Sequence, residues 1–308
     1  MNESTTSQTR FVNVFDLAHQ ILDKRQPGFS GLKRLAKGHT SIVFIYQFER
    51  SIRVIRLTTQ GSHAYYKDHW AGQFLSKQGI PVPQIFEIGK WKGFNYALSN
   101  YYQGKNLRYQ ELQKALPTLF EQLTYLHRCT LPLDSIETNQ TLKKAKDWKS
   151  IAKFYAQTAI HKRKQISSIN TSLESVFHEI ELQFQRHHSV LPDNLPLYLV
   201  HLDIGVGNIL FKDTQITALL DWSYSIAGDF FCDLSSLLLK NELPDPISAK
   251  KLFFSLYGRA GFDLNHAESR FQVGLALTAL NYLPYSLLNR ENDQVHRIWQ
   301  SYQLLSAG

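Results

Sequence analysis

Cysteine is nearly absent. Two thiols in 308 residues, Cys129 and Cys232, cannot form a disulfide framework, and no Cys-x-x-Cys pair offers a zinc site. Long apolar runs are missing too. No stretch approaches the roughly 18 consecutive apolar residues that a membrane-spanning helix needs. The opening MNESTTSQTR is polar and lacks the apolar core of a secretory signal. The expectation from these absences is a soluble, cytoplasmic chain. There is no Gly-x4-Gly-Lys-[Ser/Thr], which excludes a P-loop, and no helix-turn-helix, zinc-finger or RNA-binding signature. Internal repeats and low-complexity segments are also lacking.

What is present is core-forming material. Hydrophobic residues make up 43% of the chain and charged residues 19%, which rules out disorder as the main state. The length suits one two-lobed domain or two ordinary ones. The net charge of +8 is uneven: residues 1–222 carry +9 and residues 223–308 carry −1. Such an excess fits nucleic acid, a membrane surface or a phosphate-rich ligand such as a nucleotide, and composition does not choose among them.

Val14, Leu17, Ala18, Ile21 and Leu22 recur at helical spacing and predict an opening amphipathic helix. SIVFIYQFE (41–49) and SIRVIRL (51–57) read as adjacent antiparallel strands, followed by a helix over 64–78 that ends at Gly79 and Pro81-Val82-Pro83. QIFEIGKW and FNYALSNYY read as two more strands. From residue 109 the pattern is mainly helical, through LQKALPTLFEQLTYLH, DWKSIAKFYAQTAIHKRK and SLESVFHEIELQFQRHH, and again at 230–240, 247–258, 266–288 and 293–305. The expected class is α+β. Residues 1–100 form a small β-rich lobe, residues 101–308 a larger helical lobe, and a ligand cleft lies between the two.

One strand-rich island, residues 197–222, interrupts the helices. It carries His201-x-Asp203-x4-Asn208, with Asp221 thirteen residues further on. NILF and ITALLD flank a polar KDTQ turn and predict a hairpin. With Phe211 opposite Ile216, Asn208 falls opposite Leu219, and Asp221 lies just beyond. Two carboxylates and an amide oxygen then converge at one loop mouth, a hard-oxygen set suited to Mg²⁺ that is also held by substrate phosphates. The spacing is that of a kinase catalytic loop and its metal-binding aspartate. There the first Asp accepts or orients the substrate hydroxyl, and the Asn and the second Asp hold Mg²⁺. Singly, each is an ordinary turn or cap residue. Chance would produce the four-residue pattern on the order of 0.001 times in a chain of this composition, which decides for the functional reading. His201 reads as a brace for the loop rather than an acid or base. Asp229 and Asp233, in GDFFCDL, either cap a helix or brace the loop, and Asp229 is the preferred brace.

VHLDIGVGNILF, followed by ITALLDWSYSIAGDFFCDL, resembles the signature of aminoglycoside phosphotransferase-like kinases, a family that includes choline, homoserine and fructosamine kinases. The likeness runs through RVIRLTTQGSHAYYKDHWAGQFLSKQGIPVPQIFEIG and echoes in SLLNREND, and it is strongest toward the hygromycin-phosphorylating branch. It implies a protein-kinase-like two-lobed fold and Mg²⁺-dependent transfer of the γ-phosphoryl of ATP or GTP to a small-molecule hydroxyl. In that reading Asp203 is catalytic, Asn208 and Asp221 hold the metal, and His201 and Asp229 give structural support. Arg56, in VIRL, stands where most members have lysine, as it does in the hygromycin branch; its charge and planar fork suit phosphate oxygens. The usual partner glutamate is missing, and Asp68 is the nearest acid. The turn KGHTS (37–41) places Gly38 and Ser41 over the phosphates.

Aminoglycosides are polycations and call for an acidic pocket. Residues 143–164, which the resemblance places beside the acceptor, instead carry Lys143, Lys144, Lys146, Lys149, Lys153, Lys162, Arg163 and Lys164 against only Asp147. The ordinary reading is a solvated helix face. Facing the pocket, the stretch favours a neutral or anionic sugar-like acceptor. Glu291 and Asp293 offer a small acidic patch, and Trp222, Tyr224, Tyr282 and Tyr285 are candidates to hold a ring. The partners expected are a nucleoside triphosphate and a hydroxyl acceptor, with no nucleic acid and no membrane. The alternatives are a kinase of another small metabolite (an amino sugar, sugar or amino alcohol) and a catalytically silent nucleotide-binding module.

Overall fold

The computed structural model describes residues 13–37, 41–59, 61, 65–129, 147–164, 171–241 and 243–307. The chain divides into two units, one of residues 1–73 and 83–102, the other of residues 74–82 and 103–308.

The first unit opens with α1 (Val14–Arg25), whose first turn is capped by Asn13 accepting from the Phe15 amide at 3.0 Å. Leu17, Ala18, Ile21 and Leu22 form its buried face, as their spacing predicts. They pack against Phe44, Tyr46, Ile55, Leu57, Tyr96 and Leu98 on alternate positions of one sheet face. Each such fully buried apolar side chain contributes about 1.5–3 kcal/mol. The sheet is antiparallel in the order β1-β2-β3-β5-β4, with β1 at Ser30–Lys37, β2 at Ile42–Phe48, β3 at Ser51–Thr58, β4 at Ile85–Trp91 and β5 at Phe94–Asn100. Strand β1 goes unrecognised in the sequence, because SGLKRLAK lacks clean alternation and its ladder is broken by two register shifts. Helix α2 (Tyr66–Leu75) runs into a 3₁₀ turn, Ser76–Gln78, that stops at Gly79 with φ of 79°. Gly72 on α2 has no room for a side chain, since a Cβ would lie 2.6 Å from the Pro83 carbonyl oxygen.

The second unit is mostly helical. Its long helices are α3 (Tyr109–Arg128), α4 (Trp148–Arg163), α5 (Thr171–Ser189), α6 (Phe231–Lys240), α7 (Pro246–Arg259), α8 (Ala267–Leu288) and α9 (Asn292–Ser306). Helix α8 is buried on nearly every side from Arg270 to Leu280 and packs against α4, α5, α6 and α9, which marks it as the central helix. Short strands fill one end: β6 (Lys105–Asn106), β8 (Ile209–Lys212) and β9 (Gln215–Leu219) form one sheet, β7 (Tyr198–Val200) and β10 (Ile226–Gly228) another. Among the described residues, no helix is long and apolar enough to cross a membrane.

Two expectations change here. The hairpin forms, with Asp213 and Thr214 both left-handed (φ of 50° and 67°) as a tight primed turn requires, and Phe211 does face Ile216. A register shift between Leu210 and Phe211 then sets Ile209, not Asn208, opposite Leu219. Asn208 is left just ahead of the strand. The basic stretch is also more than a solvated face. Arg163 is buried and lies 3.3 Å from Glu174 and 3.2 Å from Glu181 of α5, over the Phe177 ring, while Lys149 meets Asp193 at 2.8 Å. Part of the excess positive charge thus pins α4 to α5. Lys153, Lys162 and Lys164 are exposed. Lys143, Lys144 and Lys146 lie outside the described residues.

Candidate active site

The loop from β7 to β8 carries His201-x-Asp203-x4-Asn208. Its first residue, His201, is fully buried, with Nε2 2.9 Å from the Leu220 carbonyl oxygen and Nδ1 accepting from the Asp203 amide at 3.2 Å. Those partners specify the neutral Nε2–H tautomer, and burial holds the imidazole below its ordinary pKa. His201 is therefore a brace that ties the loop to the end of the hairpin. The Trp222 ring packs on it at 4.5 Å and is buried, so it does not face a ligand.

Leu202 is left-handed, with φ of 61°, a costly conformation for a branched residue. Asp233 holds it there. Its buried carboxylate accepts from the Leu202 amide at 2.6 Å and the His201 amide at 3.0 Å, and meets His127 Nε2 at 3.0 Å. His127 in turn touches the Tyr257 hydroxyl at 2.6 Å. The preferred brace, Asp229, does something else. It caps α6 through the Phe231 amide at 3.0 Å and pairs with Arg270 of α8 at 2.7 Å. The two aspartates lie four apart at the start of a helix, and only the fold shows which one turns toward the loop. Further along, Asn241 accepts from the Val206 amide at 3.1 Å and donates to the Ile204 carbonyl at 3.4 Å.

These braces aim Asp203 and Asn208 at each other. Asn208 Nδ2 donates to Asp203 Oδ2 at 2.7 Å and to its carbonyl oxygen at 2.9 Å. With the amide nitrogen so committed, the amide oxygen is presented on the opposite side. The Leu220 amide donates to the Asn208 carbonyl at 2.8 Å, which sets Asn208 beside the residue before Asp221. Asp221 is itself left-handed, φ 61°, and one of its oxygens accepts from the Ser223 hydroxyl at 2.5 Å. Among the described residues, no group of three or more His, Cys, Asp or Glu side chains could hold a metal alone. The Asn208 oxygen and the Asp221 carboxylate are a partial oxygen set, which fits a Mg²⁺ ion completed by phosphate oxygens and water.

The other Asp203 oxygen meets two residues that motif spacing does not single out. Oδ1 accepts from the Tyr282 hydroxyl of α8 at 2.8 Å and contacts the ammonium of Lys240, the last residue of α6. Lys240 also donates to the Tyr282 hydroxyl at 2.9 Å. Burial pushes the Lys240 ammonium down to about 7, while the carboxylate in contact with it favours the charged form. In sequence Lys240 reads as an ordinary cation closing a helix. Tyr224 and Tyr285, of the four aromatics named for a ring pocket, are exposed.

In the first unit, Arg56 is central in β3, opposite Val43 of β2 and Ala97 of β5. Its Nη2 lies 2.7 Å from Asp68 of α2, and its guanidinium stacks 4.6 Å from the Tyr65 ring. Asp68 is buried at 7% exposure. Ser41 is half-buried just ahead of β2; Gly38 lies outside the described residues. Glu291 and Asp293 open α9, where an acid near the first turn is ordinary helix chemistry.

An antiparallel five-stranded unit and a helical unit whose loop carries His-x-Asp-x4-Asn define a protein-kinase-like α+β fold. The chain belongs to the phosphotransferase enzyme family, whose profile matches residues 54–265. It is similar to the hygromycin-B 4-O-kinase of Escherichia coli, at 23% identity over 221 residues. That match covers 68% of this chain and 62% of the relative's length. Among solved structures, a thermostable mutant of aminoglycoside phosphotransferase APH(4)-Ia, in a ternary complex with AMP-PNP and hygromycin B, superposes with a TM-score of 0.77 at 18% identity, over 94% of this chain and 97% of that one. The Plasmodium vivax ethanolamine kinase superposes with a TM-score of 0.65 at 16% identity, over 95% and 86%.

Proposed function

We propose that the chain is a small-molecule kinase that moves the γ-phosphoryl group of a nucleoside triphosphate onto an acceptor hydroxyl, with a hygromycin-like aminoglycoside as the lead acceptor. The observation that carries this reading is the pairing of Asp203 with Asn208 at the mouth of the hairpin that returns Asp221. Family membership and the hygromycin-B kinase relative support it.

Asp203 receives the acceptor hydroxyl on Oδ1, while Asn208 fixes Oδ2. The acceptor oxygen bonds to the γ-phosphorus as the bond to the β–γ bridging oxygen breaks. The nucleoside diphosphate leaves with the electron pair, and the hydroxyl proton passes to Asp203. Asn208 and Asp221 would hold Mg²⁺, which when bound supplies charge neutralisation at the phosphates. Arg56, oriented by Asp68, supplies a fixed cation for phosphate oxygens. The test is a nucleotide-turnover screen with Mg²⁺ over aminoglycosides, amino sugars, sugars and amino alcohols. Turnover that no acceptor stimulates would overturn the assignment.

Two pairs of variants probe the parts separately. Asp221→Ala should abolish the metal-dependent share of nucleotide binding, and Asn208→Ala should weaken it less, because a carboxylate brings a full charge and an amide only a dipole. Nucleotide titrations with and without Mg²⁺ read this directly, and unchanged metal dependence in Asp221→Ala would place the ion elsewhere. Arg56→Ala should weaken nucleotide binding and slow transfer. Asp68→Ala should act only through Arg56, so the double variant should lose less than the two single losses combined. Strictly additive losses would dissolve the pair.

A further inference from the structure

Asp203 shares its open oxygen with a cation. Oδ2 is taken by Asn208, so an incoming hydroxyl must donate to Oδ1, where Lys240 and Tyr282 already sit. Both members of the Lys240–Asp203 contact keep part of their surface open, at 17% and 12% exposure. A hydroxyl oxygen about 3 Å from Oδ1 brings the substituents on the neighbouring carbons within a few ångströms of the Lys240 ammonium. Asp203 itself balances Lys240 in the resting site, but it takes up the acceptor proton during transfer and then leaves the ammonium uncompensated. The other nearby acids do not reverse that field. Asp233 spends its carboxylate on the His201 and Leu202 amides, and Asp221 belongs to the proposed metal side. Lys240 also closes α6, where the helix dipole favours a positive charge. Tyr224 and Tyr285 add exposed aromatic faces, and Tyr224 lies within electrostatic range of Tyr285, Asp221 and Tyr282. Aromatic faces of this kind suit the C–H face of a neutral ring.

We propose that Lys240 selects the acceptor by charge: the hydroxyl that Asp203 receives belongs to a sugar-like ring whose adjacent substituents are neutral or anionic, not ammonium. This rests on the phosphotransferase reading and narrows its substrate class to acceptors, aminoglycosides included, whose reacting hydroxyl has no ammonium on the adjoining carbons. The basic stretch of α4 is not needed for it, since Arg163 and Lys149 are paired within the fold.

Three matched probes test the proposal: glucosamine, glucose and glucuronate, which differ in carrying an ammonium, no charge or a carboxylate. Each is offered with Mg²⁺ and ATP at about pH 6, below the value of about 7 to which burial pushes Lys240, so that it and the probe amine are mostly protonated. Diphosphate release is corrected for the water reaction, and the sugar phosphate is identified by phosphorus NMR. The native chain should favour glucose and glucuronate over glucosamine by roughly tenfold or more, the scale of two like charges a few ångströms apart near a surface. Lys240→Met should collapse that preference, and Lys240→Arg should keep its order. Tyr282→Phe, which removes the bridging hydroxyl but no charge, should slow all three probes alike. Near-UV circular dichroism confirms that each variant is folded.

A native preference for glucosamine overturns the proposal, and so does an unchanged ratio in folded Lys240→Met. Nucleotide turnover that none of the three sugars stimulates overturns it as well. A native chain that neither binds nor turns over nucleotide refutes the phosphotransferase reading itself, and this inference falls with it.

Discussion

Asp203→Asn is expected to reduce phosphoryl transfer by about 10²–10⁴-fold, the range for a positioned base or orienting group. Nucleotide affinity should stay close to that of the native chain. The amide is nearly isosteric and still accepts from Tyr282 at Oδ1; it gives up the Asn208 bond at Oδ2, but the backbone braces from Asp233 and Asn241 should keep the loop in shape. What is lost is the charge that draws the acceptor proton and balances Lys240. The assay is transfer to the best acceptor from the turnover screen, with nucleotide binding measured in parallel. A variant that transfers within about threefold of native, where the full base effect is expected, would remove Asp203 from the chemistry. Joint loss of transfer and nucleotide binding would instead place Asp203 at the nucleotide.

The second large effect is on stability. Arg270 and Asp229 are both 0% exposed and meet at 2.7 Å. Arg270 also donates to the Asp263 carbonyl at 2.6 Å and lies over the Phe230 and Phe231 rings at 4.8 and 5.1 Å. Removing one partner leaves the other charge buried and unpaired, which costs about 3–5 kcal/mol. Arg270→Ala should therefore lower stability by that amount in urea unfolding, and combining it with Asp229→Ala should recover part of the loss. A loss below about 1 kcal/mol would mean that solvent reaches the site and screens it. The pair also bears on function, because α8 carries both Arg270 and Tyr282. Twelve residues of helix separate them, about 18 Å, so the ion pair anchors one end of the helix that delivers the tyrosine to Asp203.

The sequence is legible where one local rule dominates. β-Branched and aromatic residues mark β2 and β3, and helical spacing marks α1 down to its buried residues. The motif brings Asp203, Asn208 and Asp221 into view because its spacing is improbable by chance. Legibility stops where tertiary packing decides. Strand β1 is basic and broken in register, and β10 is three residues long and paired with a strand equally short. The shift that moves Asn208 off the ladder has no signature in NILF. The exchange of roles between Asp229 and Asp233 depends on which way each faces at the head of α6, and Lys240 meets Asp203 only because α6 ends beside the loop.

Leu202 shows where the information for this loop resides. Its left-handed backbone is held by a carboxylate on α6, which is itself met by a histidine on α3 and, through it, by a tyrosine on α7. Residues 201–208 therefore do not encode their own conformation. Grafted onto another scaffold, the octapeptide would bring the aspartate and the asparagine without their aim. Exchanging whole helices between relatives would change the loop without altering a residue in it.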